Sequence, residues 1–185
     1  MTTLLVTNDF PPTVGGIQSY LRDFVDEVVR RGGAGSIVVF ASVQDTEVVR
    51  AWDAAQPYEV IRYPRKVMLP TPALKREMVR IIKERGIDTV WFGAAAPLAV
   101  MGKAAKQAGA RRVVATTHGH EVGWAKLPGA RGVLRQIGRH ADVVTYISRY
   151  TIDRLRPVIG DGLEYVNLPS GVDTDFFAPA TAAGR

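Results

Sequence analysis

Short apolar runs of strand length alternate with longer stretches of helical period along the whole chain, and that alternation leaves few folds open. Leu4-Leu5-Val6-Thr7 is the first run, followed by the turn Pro11-Pro12-Thr13-Val14-Gly15-Gly16. Ile17, Leu21, Phe24, Val25 and Val28 then recur at helical spacing until Gly32-Gly33 ends the segment. Ile37-Val38-Val39-Phe40 and Tyr58-Glu59-Val60-Ile61 read as further strands, and a helix from Pro72 to Arg85 precedes the strand Asp88–Phe92. The spacing predicts an Ala-rich helix over Ala95–Ala108, a strand over Arg112–Thr116, and a basic helix over Ala130–Gly138. Val143–Ile147 is the next strand, Ser148 the N-cap of a helix ending near Val158, and Tyr165–Leu168 a last short strand. The expected fold is a doubly wound α/β domain with a mainly parallel sheet and right-handed crossovers.

A length of 185 residues fits one such domain, taken as residues 1–178, with Pro179–Arg185 reading as a linker. Ligands of these sheets lie beyond the carboxyl ends of the strands. The loops that matter are therefore Asn8–Gly16, Phe92–Pro97, Thr117–Gly123, Ser148 and Pro169–Asp173.

The chain has no cysteine, which excludes disulfides and thiolate metal sites and fits a reducing cytosol. Its opening run lacks a basic flank and reaches Asn8-Asp9 too soon for a signal peptide, and no apolar stretch approaches the length of a membrane span. The net charge is +6, unevenly spread. Residues 62–85 carry eight Lys/Arg against two Glu, residues 111–140 six against one, and the remainder is net acidic. A basic face on an acidic molecule implies an anionic partner.

Gly15-Gly16 lies between the first strand and its helix, where backbone amides can approach an anion with no Cβ in the way. A diphosphate is the natural guest; the plainer alternative is a tight turn. G-x-G-x-x-G and the Walker Lys-Ser/Thr are both absent, which disfavours dinucleotide oxidoreductase and P-loop chemistry. Thr117-His118-Gly119-His120-Glu121 stands at another strand's carboxyl end. A metal site there lacks a third ligand nearby, because His140 follows a helix. A neutral imidazole at His118 suits a sugar hydroxyl or a developing charge, whereas His120 reads as satisfied by backbone. Asp9 could orient an acceptor hydroxyl or cap the turn; Glu121 is the only other acid at a strand end with a chemical role open to it.

The segment from Arg62 to Pro70 interleaves cations with apolar groups, and Lys75, Arg76, Arg80 and Lys83 follow. Trp124, Leu127, Leu134 and Ile137 stand beside Lys126, Arg131, Arg135 and Arg139. Such pairings suit an anionic membrane interface or, helix by helix, an ordinary solvated face. No helix-turn-helix, zinc-finger or aromatic stacking motif supports a nucleic-acid partner.

Asn8-Asp9-Phe10-Pro11-Pro12 with Gly15-Gly16-Ile17, then Ser170-Gly171-Val172-Asp173, resembles the N-terminal domain of retaining GT-B glycosyltransferases of family 4. Trp91–Pro97 and Thr117–Trp124 are similar to the actinobacterial GDP-mannose-dependent phosphatidylinositol monomannoside mannosyltransferases. The resemblance runs over residues 3–178 and implies one Rossmann-like half of a GT-B fold. It implies a metal-independent, cofactor-free transfer of mannose from GDP-mannose to a phosphatidylinositol mannoside with retention. Gly15, Gly16 and Ile17 would meet the donor diphosphate and His118 the transferred sugar. Asp9, Gln18, Arg62 and Arg65 would face the acceptor. Lys66, Lys75, Arg76, Arg80, Trp124, Lys126, Arg131 and Arg135 would meet lipid at the inner face of the membrane. Family members are about twice as long, and no E-x7-E motif of their second domain occurs here. The chain alone is therefore expected to be inactive. Two other readings stay open: a non-catalytic module that binds anionic lipid or nucleotide, and a family 4 enzyme with another donor.

Overall fold

The computed structural model describes residues 1–43, 46–172 and 174. Asp173 and the stretch read as linker, Pro179–Arg185, lie outside the described residues. Seven strands, β1 (Thr3–Thr7), β2 (Ile37–Ser42), β3 (Glu59–Tyr63), β4 (Thr89–Phe92), β5 (Arg112–Thr117), β6 (Val143–Tyr146) and β7 (Glu164–Asn167), form one sheet. Its order is β3-β2-β1-β4-β5-β6-β7. Every neighbouring pair is parallel, so the sheet is wholly rather than mainly parallel.

The apolar runs are continuous because both faces of the sheet are covered. In the central β1, Leu4, Leu5 and Val6 are all fully buried. Leu4 and Val6 point into one core with Val38, Phe40, Val90 and Phe92. Leu5 points into the other with Val39 and Trp91. The second core is roofed by α1 (Gly16–Gly32), through Tyr20, Leu21 and Val25, and by Trp52 of α2 (Thr46–Ala54). The first core takes α3 (Pro72–Arg85), α4 (Gly102–Ala108), α5 (Glu121–Ala125), α6 (Pro128–His140) and α7 (Arg149–Ile159). Met78, Ala105, Val122, Leu134 and Leu155 are among their contributions.

Local chemistry fixes the ends. Thr71 caps α3 by accepting from the Leu74 amide at 3.3 Å, Pro72 opens the helix, and Gly86 closes it with φ +59°. Ser148 caps α7 as expected, accepting from the Thr151 amide at 3.3 Å.

Four elements depart from the sequence expectation. The helix expected over Ala95–Ala108 starts only at a 3-10 turn, Leu98–Met101. The Ala95 amide instead donates to the Thr116 carbonyl at 2.8 Å, which ties this loop to β5. Neither α2 nor the short α5 was expected, and α6 is longer than the helix assigned to Ala130–Gly138.

Candidate functional site

Strand order reverses between β1 and β4, and a crevice opens at the carboxyl ends there. The first wall is the start of α1. Gly15 is extended at φ 173°, no side chain caps the helix, and no acid occupies its first turn. The Ser19 amide is the first to find a helical carbonyl, that of Gly15 at 3.0 Å. The preceding helical amides have no carbonyl one turn back to meet. A Cβ built on Gly16 would meet nothing within 4 Å, and the residue is exposed. An N-terminus of this kind, carrying the positive end of a 17-residue helix dipole, accepts an anion. Gly15 differs: a Cβ there would clash with Gln18 Oε1. Gln18 Nε2 in turn donates to Asp9 Oδ1 at 3.2 Å.

The facing wall is the loop after β5. His118 is half-buried, with Nε2 2.7 Å from the Gly93 carbonyl at the end of β4. A carbonyl only accepts, so Nε2 carries the hydrogen and Nδ1 keeps a free lone pair when the ring is neutral. Burial holds the imidazole below its ordinary pKa of 6.5, partly offset by the Gly93 contact and by Glu121. His118 is therefore neutral at pH 7. Its ring meets Tyr20 edge-on at 5.1 Å and lies parallel to His120 at 6.4 Å. Burial pushes the Tyr20 hydroxyl up to about 12, so it stays protonated and donates to the Leu168 carbonyl at 2.8 Å. Gly16, Ile17, Tyr20, His118, Ile147 and Ser170 line one cavity of about 250 Å³. The structure thus brings together the glycine turn, the histidine and the Ser170 loop.

The floor of the first loop is clamped. Asn8 exchanges two bonds with the main chain of Met68, Nδ2 donating at 3.0 Å and Oδ1 accepting at 2.6 Å. That brings the segment holding Arg65 and Lys66 beside the crevice. Arg62, expected to face an acceptor phosphate, is engaged inside the protein. Its Nη2 meets Asp53 at 2.7 Å and the Pro11 carbonyl at 2.6 Å, and Nη1 meets the Ser42 carbonyl at 3.1 Å. Its head also stands near the Phe10 and Trp52 rings, at 5.9 and 6.0 Å. It holds the loop in shape rather than presenting free donors.

Arg65, Val67, Leu69 and Thr71 line a surface hollow of about 380 Å³, with Val67 and Leu69 exposed. Lys66, Lys75 and Arg76 are exposed. Lys75, Arg76 and Lys83 edge a groove of about 350 Å³ between α3 and α4. Arg80 is exposed but paired with Glu77 and Glu84. Trp124 packs partly against the core, which withdraws much of the ring from any lipid. Lys126 and Arg135 are exposed and Arg131 half-buried.

A parallel sheet of this kind takes its ligands in the crevice at the switch point, and the chain belongs to glycosyltransferase family 4, whose model matches residues 14–176. It is 59% identical over 179 residues to a GDP-mannose-dependent monoacylated alpha-(1-6)-phosphatidylinositol monomannoside mannosyltransferase of Corynebacterium glutamicum, covering 97% of this chain and 46% of that protein. A GDP-mannose-dependent alpha-(1-6)-phosphatidylinositol monomannoside mannosyltransferase of Mycolicibacterium smegmatis is 54% identical over 177 residues, 95% of this chain and 46% of its own. The chain spans about half the length of the curated relatives it matches. Among solved structures, Anabaena HepE in complex with UDP and glucose superposes with TM-score 0.67 at 17% identity, over 97% of this chain and 47% of that one. That likeness shows the fold: one half of a GT-B arrangement.

Proposed function

We propose that residues 1–178 form the N-terminal domain of a retaining transferase that moves mannose from GDP-mannose to a phosphatidylinositol mannoside. The observation that carries this reading is the open start of α1 facing a neutral His118 across one cavity. The names of the relatives in Corynebacterium glutamicum and Mycolicibacterium smegmatis supply the donor and acceptor classes. The amides of Gly16 and Ile17 hold the donor diphosphate, with Gly15 making the turn. His118 Nδ1 accepts a hydroxyl of the transferred sugar and steadies positive charge as it develops at the anomeric carbon. Asp9, ordered by Gln18, and the exposed Arg65 face the acceptor headgroup. No metal or cofactor takes part in this scheme.

Among the described residues, no helix is long and apolar enough to cross a membrane. The lipid acceptor is reached from the surface, with Lys66, Lys75, Arg76 and Lys126 on the anionic inner face of the membrane. Each surface cation contributes about 1 kcal/mol there, screened by salt. A second α/β domain supplies the nucleoside pocket and its donor-binding side chains. Because donor and acceptor must be held together for catalysis, residues 1–185 alone show no useful turnover.

The test is transfer from labelled donor to lipid by the full-length protein. GDP-mannose with phosphatidylinositol monomannoside gives product, UDP-glucose or a soluble acceptor gives little, and residues 1–185 alone give none. Equal transfer from UDP-glucose would assign another donor, and turnover by residues 1–185 would refute the two-domain scheme.

A further inference from the structure

We propose that Glu121 is a positioning residue for His118: its buried side chain gathers the His118 and Gly119 amides and so fixes the imidazole against the Gly93 carbonyl, facing the open start of α1. The inference rests on the functional reading of His118 given above.

Glu121 has no solvent exposure, although it opens a surface helix of five residues. Its Oε2 accepts from the amides of both His118 and Gly119 at 3.1 Å. Gly119 itself sits at φ +100°, a conformation that L side chains rarely adopt, and its Cβ would meet Thr151 Oγ1 at 3.4 Å. The loop backbone is therefore pinned by the carboxylate at two successive amides, and the His118 ring is pinned separately through Nε2. Such over-determination is wasteful for a plain connection between β5 and α5. It suits a side chain that must hold one orientation.

The second oxygen carries the sharper argument. Glu121 Oε1 is buried without a hydrogen bond, and the nearest cationic candidate, His120 Nε2, stands 3.4 Å away. A glutamine of the same shape would still accept from both amides through its oxygen and would put a donor towards His120. Satisfaction of hydrogen bonds alone would favour glutamine. What glutamine lacks is a charge that stabilises an imidazolium or a positive centre next to the ring. The groups that face His118 are Asp9 from the first loop, Tyr20 from α1, His120 and Glu121. Of the two acids, Glu121 exerts the stronger charge effect and raises the His118 pKa against burial.

The experiment is a double-mutant cycle of Glu121→Gln and His118→Ala in the full-length protein, with GDP-mannose and phosphatidylinositol monomannoside. Glu121→Gln is expected to lower kcat about tenfold, as loss of a supporting partner does, with donor KM and melting temperature unchanged. Added to His118→Ala it should cost nothing further. In a separate NMR titration that needs no turnover, the His118 resonances of Glu121→Gln should titrate at lower pH than in the parent. Losses that simply add, or a drop in melting temperature with no change in the His118 titration, would reduce Glu121 to a structural residue and overturn the proposal. If His118→Ala alone left kcat intact, the reading of His118 would fall first and this one with it.

Discussion

The two loops that face each other across the crevice are both built around glycine, yet they treat their backbone amides in opposite ways. At the start of α1 the amides are left open: no side-chain cap, no acid in the first turn, and nothing that a Cβ on Gly16 would meet within 4 Å. After β5 the His118 and Gly119 amides are both taken by one buried carboxylate. In the proposed function the first loop binds with its main chain, and the second holds its main chain still so that a side chain can act. A glycine therefore means different things at the two places. Gly16 keeps room for a ligand, whereas Gly119 supplies a backbone angle.

The largest effect expected from this contrast is His118→Ala. It removes the imidazole that faces the start of α1 and should lower kcat about 100-fold, measured as mannosyl transfer at saturating donor. Gly16→Val comes next. It has room in the fold, so melting should be unchanged while GDP binds at least about tenfold more weakly by calorimetry. Gly119→Ala sharpens the contrast from the other side. The strained angle should cost about 1–2 kcal/mol in denaturant unfolding, and GDP affinity should be spared. If Gly16→Val lost stability and Gly119→Ala lost GDP, the two roles would be reversed.

The smallest effect is on acid stability. The folded pKa of His118 lies below its unfolded value near 6.5, so the unfolded chain takes up a proton first. Stability from this group is full above 6.5, falls as pH drops through the gap, and levels off below the folded value. His140 is shifted the same way. His118→Ala should flatten part of the slope in a chemical-denaturation series across pH 7 to 5.

Much of this was legible in the residues because covering both faces of a parallel sheet forces continuous apolar runs such as Leu4–Thr7 and Ile37–Phe40. Helix ends at Pro72, Gly86 and Ser148 follow local rules that the sequence displays, while the Thr71 cap emerges only in the structure. Gly15-Gly16 and His118 stood out because strand ends in such sheets face ligands. What stayed hidden depends on partners far along the chain. The Asn8 bonds to Met68 span sixty residues, and Arg62 meets Asp53 of an α2 that the pattern did not reveal. With those partners unseen, Arg62 reads as a free cation. In the sequence Glu121 reads as an acid at a strand end. No periodicity signals that a carboxylate opening a surface helix will be wholly buried.

The most direct test of the open helix start is to follow backbone amide shifts while GDP is titrated into the isotopically labelled full-length protein. The Gly16 and Ile17 amides should move furthest in this domain and saturate together with the calorimetric affinity, while the Gly119 amide stays near its place. GDP that binds and saturates without moving Gly16 or Ile17 would contradict the account.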